Sequence, residues 1–91
     1  MLDHSFTATI VLPDEHGDKI CDLVKDILAC QVTSRSYSSG VNASGRGEQV
    51  LTCVFFYDNV PSRDSDLECV SNWLDRMWEV RIVLSWSCKE N

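Results

Sequence analysis

Apolar and polar positions alternate with period two over residues 5 to 12, with Phe6, Ala8, Ile10 and Leu12 on one face and Ser5, Thr7, Thr9 and Val11 on the other. Successive side chains of a strand point to opposite faces, so this stretch predicts a strand with one side on a core. Residues 13 to 17, Pro-Asp-Glu-His-Gly, break that period and load acid into the start of a helix, where the positive end of the helix dipole favours it. Ile20, Leu23, Val24 and Ile27 then recur at i, i+3, i+4 and i+7, which predicts a helix reaching about Ala29 with these residues as its buried face.

Residues 31 to 39 read as a weak, polar strand built on Val32, Thr33 and Tyr37, and residues 38 to 47 have the small, Gly-rich composition of a flexible hairpin loop. Residues 48 to 58 form the strongest strand. Val50, Val54 and Phe56 mark one side and Leu51, Cys53, Phe55 and Tyr57 the other, so it belongs in the middle of a sheet. Asn59-Val60-Pro61 predicts a turn, and Ser65-Asp-Leu-Glu68 has the spacing of a capping box. The helix that follows is expected to bury Leu67, Val70, Leu74 and Met77, with Trp73 and Trp78 at its margins. Last, Val80, Ile82, Leu84 and Trp86 alternate with Arg81, Val83, Ser85 and Ser87, predicting a closing strand before the polar tail 89 to 91.

The resulting order is βαββαβ, the ferredoxin-like split βαβ arrangement. It is an α+β two-layer sandwich in which a four-stranded antiparallel sheet carries two helices on one face. Residues 1 to 91 are too few for a second core, so the chain is read as one domain. The other sheet face would carry Thr7, Thr9, Val11 and one apolar set from the third strand. Such a half-apolar face is expected to be closed by a twin subunit, giving a homodimer.

Charge narrows the possible functions. Fourteen Asp and Glu stand against eight Lys and Arg, a formal charge of -6 with a pI near 4.6. Direct binding of nucleic acid through a general basic surface is disfavoured, since such binding needs cations to displace counterions. The balance points instead to basic partners. Residues 1 to 5 lack the basic and long apolar regions of a secretory signal, and no apolar run suits a membrane span. The five cysteines contain no C-x-x-C and read as reduced thiols of a cytoplasmic protein. His4 and His16 have no cysteine beside them, so neither a metal nor another cofactor is expected.

Known chemistries of this element order do not fit. Acylphosphatases need a phosphate-cradling loop with Arg after the first strand, where this chain has the acidic segment 13 to 17. Heavy-metal-binding relatives need C-x-x-C there. The third strand has aromatics but none of the Lys or Arg of RNA-recognition modules. The Gly-rich segment 40 to 47 lacks the G-K-[ST] ending of a P-loop and joins two strands. His16, between Asp14 and Asp18, has no nucleophile near it in sequence, and the acids flanking Cys21 would discourage a thiolate.

One pattern stands out. Asp14, Asp18, Asp22 and Asp26 recur every four residues, forming a drifting stripe roughly opposite the Ile20, Leu23, Val24, Ile27 face. Successive carboxylates would rise ~6 Å, of the same order as phosphate spacing along a nucleic-acid strand. Like charges at i, i+4 destabilise a helix, so a stripe serving stability alone would interleave more Lys. Glu15 adjoins Asp14, and Asp58, Asp64, Asp66 and Glu68 suggest a second acidic cluster at the start of the second helix. Asp14, Glu15, Asp18, Asp22, Asp26, Asp64 and Asp66 are the candidate partner-binding residues. A solvated face kept acidic for solubility is the plainer alternative.

The run Phe6 to Leu12, Pro13-x-x-x-Gly17 and Ile20-x-x-Leu23-Val24-x-x-Ile27-Leu28 resembles the opening strand, Gly turn and helix of ACT-type regulatory domains. Ser44-Gly-Arg-Gly47 into Val50-Leu-Thr-Cys-Val-Phe55, then a helix and Val80-Arg-Ile-Val-Leu84, resembles the small stand-alone YbeD group of ACT-like proteins. That resemblance implies a regulatory dimer binding a small ligand between subunits near Gly17. In size and charge the chain is also similar to phage-encoded anti-CRISPR and anti-restriction inhibitors. The residues favour a non-enzymatic acidic interaction protein that occludes a basic, nucleic-acid-binding surface of its partner. The ACT-like regulator is the alternative.

Overall fold

A computed structural model describes residues 2–15, 18–34 and 36–91, with Asp18 described by its backbone alone. The strands are β1 (His4–Pro13), β2 (Ser36–Ala43), β3 (Glu48–Tyr57) and β4 (Ser85–Glu90), and the helices are α1 (Asp18–Gln31) and α2 (Val60–Glu79). All strand pairs are antiparallel in the order β2-β3-β1-β4, the ferredoxin-like α+β sandwich. β1 and β3 are central and pair without interruption from His4 opposite Tyr57 to Pro13 opposite Glu48.

Period-two patterning holds in both central strands. Phe6, Ala8, Ile10 and Leu12 of β1 and Leu51, Cys53, Phe55 and Tyr57 of β3 are buried under the helices. Phe6 lies between Phe55 (ring centroids 5.1 Å apart) and Tyr57 (5.9 Å), joining the strands through aromatic packing. The opposite face carries half-buried Val11, Val50, Val54 and Phe56 among Thr7, Thr9 and Thr52.

α1 is rotated from its expected orientation. Cys21, Val24 and Leu28 form the buried line and Ile20 and Ile27 flank it, while Leu23 is 58% exposed. The inward direction is turned by roughly 70° because Cys21, a small thiol that packs as a hydrophobe, takes the place expected of Leu23. Asp14 is also displaced, since it lies in the turn after β1 and not on the helix.

α2 begins earlier than the Ser65 box. Asn59 is its cap, accepting a hydrogen bond from the Ser62 N–H at 2.9 Å, and Pro61 occupies the first turn, where a missing N–H costs nothing. Ser65 and Glu68 are therefore exposed mid-helix residues. Trp73 is buried, Leu67 and Met77 are half-buried, and Trp78 is exposed.

At the other end, residues 80 to 84 do not form a strand despite their alternation. The Arg81 N–H donates to the Trp78 carbonyl (3.1 Å) and the Ile82 N–H to the Met77 carbonyl (2.9 Å). This is a Schellman closure, with Arg81 at φ 64° where glycine is usual. The helix end thus captures donors that a strand would have used. Pairing with β1 starts at Ser85 opposite Val11, so Val83 alone of residues 80 to 84 is buried.

β2 also lies later than the expected 31 to 39. α1 runs on to Gln31, and register against β3 places the strand at Ser36–Ala43, leaving residues 44 to 47 as the hairpin turn. Gly45 and Gly47 there adopt φ of 77° and 75°, which excludes most side chains. The Gly47 carbonyl accepts from the Asp14 N–H at 2.9 Å, tying the hairpin to the end of β1.

Candidate functional site

The proposed acidic residues divide into two regions. On the first, Asp14 and Glu15 are exposed in the turn that leaves β1, and Asp22 and Asp26 are exposed on the outer side of α1 with Lys19 and Leu23. Asp22 shares its charge with Lys25 at 3.3 Å, a surface pair worth little in stability. Asp26 has no cation paired with it among the described residues. The Asp18 side chain, His16 and Gly17 lie outside the described residues, and with them the ligand position implied by the ACT resemblance.

Helical geometry explains the composition of this face. Asp26 points almost directly away from the Cys21, Val24, Leu28 line, and Asp22 and Leu23 flank it on either side. The outer face of α1 therefore presents Asp26 at its centre, with Asp22 along one margin and the aliphatic Leu23 along the other. Expecting Leu23 in the core concealed this, and only the competing claim of Cys21 for that place could have revealed it.

The second region does not form the expected cluster. Asp64 is exposed but bound by Arg63 at 3.1 Å, and Arg63 also reaches Glu90 at 3.5 Å. Asp58 accepts from the Asn59 side-chain amide at 2.9 Å. Asp66, expected on the partner-binding surface, is instead buried, with 4% of its surface exposed. It is four residues before Val70 and seven before Trp73, on the core-facing stripe of α2.

One oxygen of Asp66, Oδ2, accepts three hydrogen bonds: from the Tyr57 hydroxyl at 2.7 Å, the Thr33 N–H at 2.7 Å and the Thr33 hydroxyl at 3.0 Å. A buried carboxylate without partners would cost several kcal/mol. Here it links α2 to β3 and to the connection between α1 and β2. Burial, and then the bond and charge of Asp66, push the Tyr57 phenol well above its ordinary pKa, so it stays a donor. Beside this network is an open depression of about 280 Å³ lined by Leu2, Thr33, Ser34, Phe56, Tyr57, Asp58 and Ser62. The donors on Asp66 Oδ2 come from the fold itself, which makes the carboxylate an internal tie.

Of the five cysteines, Cys21 and Cys53 are buried, Cys88 is half-buried, and Cys30 and Cys69 are exposed. Burial pushes the Cys53 thiol up to about 11, against a smaller downward pull from Lys25. Burial raises Cys88 too, opposed by a hydrogen bond with Ser71. Neither environment favours a thiolate nucleophile. Among the described residues no group of three His, Cys, Asp or Glu side chains is placed to hold a metal ion, and no helix is long and apolar enough to cross a membrane. The chain matches no protein-family model, no curated protein and no solved structure.

Proposed function

We propose that the chain is a non-enzymatic interaction protein whose first helix and preceding turn engage a basic, nucleic-acid-binding surface of a partner protein and occlude it. Asp14, Glu15, Asp18, Asp22 and Asp26 supply the steering charge. The single observation that carries this reading is the outer face of α1, where Asp26 is exposed with no cation paired to it among the described residues and Leu23, 58% exposed, stands at its margin. A face maintained only for solubility has no use for a leucine at its margin, whereas an interface sets apolar contact area beside its steering charge. Asp64 and Asp66 are not part of this surface.

The test is to capture partners from cells with the tagged chain and compare wild type, the double variant Asp22→Asn/Asp26→Asn and Leu23→Ser on whichever protein is recovered. The charge variant should bind more weakly and lose most of its salt dependence. Leu23→Ser should bind more weakly with salt dependence retained. A gel shift should show wild type displacing nucleic acid from that partner. Binding unaltered by both substitutions at low salt, or a partner that keeps its nucleic acid when bound, would sink the reading.

A further inference from the structure

All eight residues of β2 are exposed, although the strand pairs with β3 along its whole length. The helices stop short of it. Between α1 and β2 lies a groove of about 470 Å³ lined by Cys21, Asp22, Lys25, Val41, Ala43 and Gln49. Tyr37 and Val41 share the helix side of the sheet with Phe55 and Leu51, yet remain 48% and 38% exposed.

The free edge of β2 also has a defined hydrogen-bonding phase. The Ser44 N–H donates to the Glu48 carbonyl at 3.1 Å at the hairpin end. Peptide groups alternate in direction along an antiparallel pair, so Ser36, Ser38, Gly40 and Asn42 turn theirs toward β3 and Tyr37, Ser39, Val41 and Ala43 turn theirs outward. Monomeric proteins usually blunt such an edge with Lys, Pro or a bulge. β2, Ser-Tyr-Ser-Ser-Gly-Val-Asn-Ala, has none of these, whereas the opposite edge strand β4 carries Lys89 and Glu90.

We infer that β2 pairs antiparallel with β2 of a second copy about a two-fold axis at Ser39, continuing one sheet across two subunits. The strand is self-complementary about that residue. Tyr37 and Val41 stand two positions to either side, so the axis sets Tyr37 opposite Val41 of the partner subunit, and the reverse, both on the helix side. Aromatic and β-branched residues directly opposite each other are a favourable cross-strand pair, and here they cover the two apolar side chains that the helices leave open. The outward peptide groups of Ser39 meet those of Ser39 of the partner subunit, and those of Tyr37 meet Val41 of the partner subunit, donor to acceptor. A foreign peptide could satisfy the backbone, but only a second copy supplies both apolar pairs by symmetry. β2 carries no charge on a chain of net charge -6, so the strands approach each other without facing carboxylates.

The test is sedimentation equilibrium on the purified chain, on Ser39→Lys, on Ser39→Glu and on an equimolar mixture of the two variants. Ser39 is exposed on an edge, so both variants should keep the wild-type far-ultraviolet dichroism. Wild type should dimerise with concentration. Each variant alone should dimerise at least about tenfold more weakly, because like charges meet at the axis. Mixing should restore the dimer, since opposite charges then face each other. A wild-type chain that stays monomeric at about 0.1 mM overturns the inference. So does a dimer indifferent to Ser39→Lys, which would use another surface such as the open sheet face, or a mixture no better than its separate components.

Discussion

Asp66 and Asp26 are the same residue type on the two helices of one small domain, and their surroundings give them opposite work. Asp26 faces water with no cation paired to it among the described residues, while Asp66 is buried under three donated hydrogen bonds. The difference lies in angular position relative to each helix's buried line, not in local acidity. A carboxylate on the core stripe becomes a structural joint that must stay bonded. One on the outer stripe contributes little to stability and is available to a partner.

Breaking the joint should have the largest effect. Asp66→Ala leaves the Tyr57 hydroxyl and the Thr33 N–H without their acceptor and should lower unfolding stability by roughly 2–3 kcal/mol, a fall in melting temperature of roughly 10 °C or more. A change below about 0.5 kcal/mol in a urea titration would mean that Asp66 is not the tie between α2, β3 and the α1–β2 connection. Tyr57→Phe removes one donor and leaves two, so it should cost less, about 1.5 kcal/mol.

Alkaline titration probes the same interior more gently. The Tyr57 phenol and the Cys53 thiol both have raised pKa values in the fold, Cys53 from 9.0 to about 11. The unfolded chain therefore releases these protons first as pH rises. Stability from this source is fully present below about pH 9 and declines as pH climbs through 11, by on the order of 1 kcal/mol for Cys53. Urea midpoints should accordingly fall between pH 9 and 11 in wild type. They should fall less in Cys53→Ala, whatever that variant's stability at pH 7. Equal slopes in the two proteins would remove Cys53 from the account.

Much of the fold was legible because the central strands obey period two and their buried sets match the alternation residue for residue. Where reading failed, a competitor outside the local pattern won. Cys21 replaced Leu23 in the core because counting large aliphatics ignores a small thiol. Asn59 and Pro61 started α2 before Ser65 could act as a cap. The carbonyls of Met77 and Trp78 took the N–H groups of residues 81 and 82 that alternation assigned to a strand. β2 has weak propensity of its own and received its position from β3, which no local signal in a Ser-rich stretch reveals. The acidic face was half legible: spacing located Asp22 and Asp26, while the exposure of Leu23 beside them was hidden by its expected place in the core. Asp66 could have been placed only by weighing its four- and seven-residue spacing to Val70 and Trp73 above its charge.

The outer face gives the smallest expected effect, and the smallness is what sharpens the contrast. Asp22 and Asp26 are four residues apart on exposed helix, where like charges repel by a few tenths of a kcal/mol, and the Lys25 partner returns little because it is solvated. The double variant Asp22→Asn/Asp26→Asn should therefore change stability by no more than about 0.5 kcal/mol, with the sign toward stabilisation at low salt and no difference at high salt. Leu23→Ser should be comparably mild, since a side chain already in water has little burial to lose. Urea midpoints at two ionic strengths are sufficient to measure this. A loss above about 1 kcal/mol from either variant would mean that these residues hold the fold together as Asp66 does, and the outer face of α1 would no longer be free to bind a partner.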